Sequence, residues 1–196
     1  MAGGGKRALR ADAQRNRERL LDAAARAFGG GQTEVSLDAI ARDAGVGIGT
    51  LYRHFPTREA LVEATYRTEL ARLCDSVPEL LRGLPADQAT RAWMDRVVRY
   101  LITKRGMAEA LRAVLASGGN PFADSRERLL EAIGSLLRAG AEAGTIRADA
   151  LPADVLASLS GVSLVAGQPH QQEQAGRLLD LLMDALRYRA GEPAAS

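Results

Sequence analysis

Between residues 36 and 61 the sequence reads SLDAIARDAGVGIGTLYRHFPTREAL, two short helical patterns parted by glycine and closed by proline. Leu37, Ile40, Ala41 and Ala44 recur at the three- and four-residue spacing that gathers side chains on one helical face. The pattern stops at Gly45, which can take the left-handed conformation that ends a helix, and Ser36 stands where its hydroxyl oxygen can cap the first amides. Val46 can tuck into the turn. A second helix over about 48–54 offers Leu51 and Phe55 to a core and leaves Thr50, Tyr52 and His54 on other faces. Helices this short are marginal alone, so they must pack on Ala23, Ala27 and Phe28 before them and Leu61 after them. This is a helix-turn-helix, with the second helix held out as a probe that a major groove about 12 Å wide admits.

The run GVGIGTLYRHFPTREAL resembles the signature of the tetracycline-repressor family of bacterial transcriptional regulators, and residues 15–61 match that family's N-terminal domain. Gly45, Val46, Gly49, Thr50, Tyr52, His54, Phe55 and Glu59 fall on family-typical positions. Gly47 stands where a serine commonly caps the recognition helix. Ile48 stands where lysine or proline is frequent, which puts an apolar group near the DNA surface. The resemblance implies an all-α fold of about nine helices, with a three-helix DNA-binding head and a helical effector-binding and dimerisation body. It further implies a homodimer that represses from an inverted-repeat operator and is released by a small-molecule effector.

The boundaries follow the chain. Residues 1–11 read as a flexible basic arm, 12–57 as the head, 58–190 as the body and 191–196 as a flexible tail. The chain has 196 residues with a formal net charge of +2, too small to name a partner, but residues 1–19 carry Lys6, Arg7, Arg10, Arg15, Arg17 and Arg19 against Asp12 and Glu18. Lys6, Arg7 and Arg10 suit either a solubilising tail or an arm laid on DNA backbone or in a minor groove. Cys74 is the single cysteine, so no internal disulfide forms and a reducing cytosol is compatible. No stretch approaches the roughly 20 apolar residues of a membrane span, and the N-terminus lacks an apolar signal core. A cytoplasmic, non-membrane protein is the expectation.

In the head, Thr33 is a candidate phosphate contact, and Ser36 serves as a cap, a phosphate contact or both. Thr50 carries a short hydroxyl and methyl suited to a base edge or phosphate. Tyr52, and by resemblance His54, are phosphate candidates, while Ile48 and Gly49 lie near base edges. Gly49 could serve close approach to DNA or close packing of its own helix. Arg58 occupies the family's usual lysine position, where it can reach phosphate. Pro56 breaks the recognition helix, and Thr57 caps the next, which runs to about 73 or 77 before Pro78 perturbs it.

Further helices are expected over about 87–105, 107–116, 125–143, 152–166 and 171–188. Trp93, Met94, Tyr100, Met107 and Phe122 are the residues to inspect around an effector pocket, with ordinary core as the alternative for each. The indole of Trp93 requires a buried polar partner. Leu156, Leu159, Val162, Ser163 and Val165, facing Leu178, Leu179, Leu182, Met183 and Leu186, either finish the monomer core or form half of a four-helix dimer interface. The glycine triplet at 29–31 lacks the lysine and hydroxyl of a phosphate loop. No cysteine and histidine spacing suggests a metal, no acid and base set suggests an enzyme, and no cofactor is expected. The rival reading is a helical protein-binding module without sequence-specific DNA binding.

Overall fold

The computed structural model describes residues 4–30, 35–116, 118–166 and 171–187, without side-chain detail for 4–10. Among the described residues it holds ten helices: α1 (Gly4–Gly29), α2 (Leu37–Asp43), α3 (Ile48–His54), α4 (Arg58–Asp75), α5 (Val77–Gly83), α6 (Ala86–Gly106), α7 (Ala108–Ala116), α8 (Ser125–Glu142), α9 (Pro152–Val165) and α10 (Gln172–Leu186). The all-α expectation holds. Helix α1 starts at Gly4, well inside the segment expected to be a flexible arm, where KRALRADA is built of good helix formers.

Helix α5 accounts for the count of ten rather than nine. The Ser76 hydroxyl donates to the Leu73 carbonyl at 2.7 Å and closes α4. Pro78 then falls in the opening turn of a new helix, where its missing N–H costs nothing. Pro78 therefore starts a helix at the point where the sequence reading has it only disturb one.

The chain divides into two compact units. The first comprises Met1–Glu69 and Thr103–Pro121, the second Leu70–Ile102 and Phe122–Ser196. In the first, α1 packs on α2 and α3, and α2 packs on α3. Its core contains Leu20, Leu21, Ala24 and Phe28 of α1, Ile40, Ala41, Leu51, Phe55, Leu61 and Tyr66, joined by Met107, Leu111 and Val114 from the returning segment. That return depends on Gly106. An added Cβ there would stand 1.9 Å from the Phe28 carbonyl oxygen, so α1 and the end of α6 meet backbone to backbone.

In the second unit α9 packs on both α8 and α10, and α5 on α8. Trp93, Met94, Val97, Leu129, Ile133, Leu136, Leu159, Leu179 and Met183 are buried there. The indole Nε1 of Trp93 donates to the Leu73 carbonyl at 3.0 Å, the buried partner the sequence requires. An antiparallel bridge between Ile146 and Arg187, with the Arg147 amide donating to the Leu186 carbonyl at 2.8 Å, ties the end of α10 to the segment after α8.

Candidate nucleic-acid interface

Local chemistry sets the turn between α2 and α3. The Ser36 hydroxyl accepts from the Ala39 amide at 3.5 Å, a long cap bond. At the other end of α2, Gly45 has φ +65°. Its amide donates to the Arg42 carbonyl and the Val46 amide to the Ala41 carbonyl, both at 3.0 Å, the paired bonds that close a helix through a left-handed residue. Gly47 then precedes α3 with no side-chain cap, as expected from its lack of a hydroxyl.

Helix α3 has seven residues and buries only Leu51, with Phe55 buried just beyond its end. The opposite face looks outward. Tyr52 is 48% exposed and Ile48 36% exposed. Arg53 is exposed, while Thr50 and His54 are half-buried. A Cβ on Gly49 would meet nothing within 4 Å, which removes close helix packing as the reason for that glycine and leaves an open approach to the backbone. Two arginines of α1 flank the motif in a way the sequence does not reveal. The Arg17 guanidinium lies 5.2 Å from the Phe55 ring centre, and Arg19 Nη1 lies 3.7 Å from where a Gly45 Cβ would stand.

Arg58, expected as a phosphate contact, has partners within the protein. Its Nη1 donates to the Val35 carbonyl at 2.6 Å, and its guanidinium lies 5.9 Å from the centre of the Phe28 ring. Both partners belong to the head, and both draw the group inward. Thr57 behaves as expected, its hydroxyl oxygen accepting from the Ala60 amide at 3.1 Å. Lys6, Arg7 and Arg10 fall in the opening turns of α1, where side chains lie outside the described set, and Thr33 lies outside the described residues altogether.

The candidate pocket residues are divided between the two units. Met107 is buried in the first unit, whereas Trp93, Met94 and Tyr100 are buried in the second. Phe122 is half-buried, and it lines an open groove of about 800 Å³ with Asp124, Arg126, Glu127, Leu130 and Glu131. Cys74 is half-buried, and burial, the largest influence on it, pushes its thiol pKa up. That disfavours the reactive thiolate.

The terminal helices sort differently from their sequence pattern. Leu156, Leu159, Ser163, Leu179, Met183 and Leu186 are buried inside the second unit, and Val162, Val165, Leu178 and Leu182 are half-buried. The most exposed large apolar side chains on these helices are Leu164 at 71% and Leu181 at 65%. They escape a sequence reading that follows one apolar face per helix. The signal was a second stripe at helical spacing, Ala153, Ala157, Ser160 and Leu164 on α9 and Gln174, Leu178, Leu181 and Ala185 on α10. Helix α9 carries one charged residue, Asp154, and so has no strongly polar face to give to water. Among the described residues, no group of three or more His, Cys, Asp or Glu side chains could hold a metal ion, and no helix is long and apolar enough to cross a membrane.

Comparison with known proteins converges on this geometry. Residues 20–65 match the family model for bacterial regulatory proteins of the tetR family, and residues 85–188 match the C-terminal domain of SbtR-like transcriptional regulators. The structure is similar to that of a TetR transcriptional regulator from Streptomyces coelicolor, at 53% identity and a TM-score of 0.82, covering 89% of this chain and 99% of that one. A TetR transcription regulatory protein from Mycobacterium vanbaalenii aligns at 34% identity and a TM-score of 0.73, over 92% and 99% of the two chains. An HTH-type transcriptional regulator of Staphylococcus aureus (strain USA300) is 41% identical over 107 residues, which span 54% of this chain and 58% of that regulator.

Proposed function

Because this chain belongs to the TetR family of bacterial transcriptional regulators, we propose that it is a homodimeric repressor that binds an inverted-repeat operator in the cytoplasm and leaves it when a small apolar or amphipathic effector binds. Regulators of this family act by binding and not by catalysis. The observation that carries the reading is the outward face of α3. Leu51 and Phe55 hold the helix in the head core while Ile48, Gly49, Tyr52 and Arg53 stand clear of it.

On this reading the phenol of Tyr52 and the imidazole of His54 position phosphate groups, and so fix the register of the head on the duplex. Thr50, Ile48 and Gly49 come nearest to base edges. Isoleucine offers only apolar contact, which suits a thymine methyl and no hydrogen-bonding edge. Ser36 and Thr33 supply further backbone contacts, and Lys6, Arg7 and Arg10 add charge that a duplex attracts without reading its sequence.

Dimerisation uses α9 and α10. Leu156, Leu159, Leu179 and Met183 hold the pair together from inside, and the second stripe, with Leu164 and Leu181, meets the same stripe of a second copy around a two-fold axis. For the effector, Trp93, Met94, Tyr100 and Phe122 are the candidate contacts in the second unit. Three of them are buried, so an effector that uses them must select a conformation with room among these helices. It releases DNA to the extent that it binds this state better than the operator-bound one.

The test is selection of duplexes from a random-sequence pool by the purified full-length chain. Enrichment of an inverted repeat with half-sites about 34–36 Å apart, or a multiple of that spacing, is expected. Binding that never distinguishes an enriched duplex from a random one as salt is raised would overturn the proposal, because specific recognition leaves a sequence-dependent term once backbone attraction is screened.

A further inference from the structure

We infer that Arg58 is a positioning residue for DNA recognition, which acts on the duplex by fixing α2 against the start of α4 and not by neutralising a phosphate. The inference rests on the DNA-binding reading above. Arg58 is the first residue of α4. Its Nη1 reaches across 23 positions of sequence to the carbonyl of Val35 at 2.6 Å, and its Cζ lies 5.9 Å from the centre of the Phe28 ring. Val35 is buried and immediately precedes Ser36, the N-cap of α2, while Phe28 is buried at the end of α1. One planar cation therefore joins the exit of α1, the entry of α2 and the start of α4.

Arginine suits this task because a guanidinium donates from its edge while its face lies against an aromatic ring. A lysine ammonium is a single tetrahedral centre on a shorter reach. It can meet the carbonyl or the ring, but it has no separate edge and face with which to hold both. The Arg26–Asp43 ion pair, which also links α1 to α2, is 2.7 Å long with both side chains more than half exposed. Exposed pairs of this kind contribute little, so of these two polar contacts the part-buried Arg58 bond is the stronger restraint, added to the apolar packing of α1 on α2. Without it, α2 and the α3 packed on it sample orientations in which the recognition helix cannot seat, and the apparent affinity falls with the fraction of heads correctly set.

The measurement is the affinity of Arg58→Gln and Arg58→Lys for two probes, the duplex that the wild-type protein enriches from a random pool and an unselected duplex, across a salt series. For Arg58→Gln the positioning role predicts a loss of roughly tenfold or more on the selected duplex. Binding to the unselected duplex and the slope of log K against log salt stay at their wild-type values. A phosphate contact predicts equal losses on both duplexes and a slope shallower by about 0.9 for each subunit's missing cation, and that result would overturn the inference. Should Arg58→Gln fail to retain the wild-type circular dichroism spectrum, Arg58→Lys decides. Wild-type affinity with lysine overturns the inference, and a selective loss on the enriched duplex at an unchanged slope supports it. Failure of the wild-type chain to enrich any duplex would remove the premise, which is an outcome distinct from either variant result.

Discussion

Replacing Gly106 by alanine sets two effects of opposite sign against each other. Gly106 is the last residue of α6 and lies outside the left-handed region, so its backbone suits alanine. Propensity alone then predicts a gain of at most about 1 kcal/mol. The packing says otherwise. The new methyl would stand 1.9 Å from the carbonyl oxygen of Phe28 and 2.9 Å from its carbonyl carbon. To restore even a tight contact the terminal peptide of α1 must retreat by at least about 1 Å, and it is backbone, so no rotamer change relieves the clash. A clash this close with backbone belongs in the upper part, about 2–3 kcal/mol, of what overpacking costs, which outweighs the propensity gain and leaves a net loss of about 1–2 kcal/mol. Gly176→Ala in α10 is the reference, because an added Cβ there meets nothing within 4 Å. It should gain about 0.5–1 kcal/mol. Urea unfolding at one fixed protein concentration, with both midpoint and slope fitted, compares the three proteins without confusing stability with dimer mass action. If Gly106→Ala were as stable as wild type or more so, while Gly176→Ala showed its gain, the backbone contact between α1 and the end of α6 would be refuted.

Three further outcomes follow from the same structure. Tyr52→Ala should leave urea stability within about 0.5 kcal/mol of wild type, because the side chain is half exposed, yet weaken binding to the enriched duplex; unchanged affinity in a titration would remove its phosphate role. The double substitution Leu164→Glu and Leu181→Glu should convert a dimer to a folded monomer in sedimentation equilibrium, because it places like charges on a self-complementary face, whereas a dimer that survives it would show the interface to lie elsewhere. Trp93→Phe removes the indole donor to the Leu73 carbonyl but leaves the Ser76 hydroxyl donating to it, so the lost hydrogen bond should cost about 1 kcal/mol, without the penalty of an orphaned acceptor, and with the cavity left by the smaller buried ring the total in urea unfolding should be about 2–3 kcal/mol.

What the sequence makes legible is what neighbouring residues decide among themselves. Gly45 as the left-handed stop, Ser36 and Thr57 as caps, the uncapped Gly47 and the burial of Leu51 and Phe55 follow from chemistry within a few positions. The start of α5 at Val77, with Pro78 in its first turn, was open to the same reasoning, since proline favours a first turn as much as it breaks an interior one. Other features depend on partners far along the chain. Arg58 reads as a free cation until Val35 and Phe28 are brought beside it. Leu159 and Leu164 are indistinguishable as leucines in an apolar helix, and only the packing of α9 on α8 and α10 turns the first inward and leaves the second exposed. Met107 joins the core of the first unit through a contact between Gly106 and Phe28 that no local pattern encodes.

The division of the first unit between Met1–Glu69 and Thr103–Pro121 has a consequence for the order in which the protein can be made. A ribosome delivers the helix-turn-helix first, but the side chains of Met107, Leu111 and Val114 that complete its core arrive later. From residue 69 to residue 121 is 52 residues, which translation at about 5–20 residues per second covers in roughly 3–10 s. During that interval the nascent head presents an apolar face with nothing to cover it. A truncated gene that stops at the end of the conspicuous DNA-binding motif would make that interval permanent.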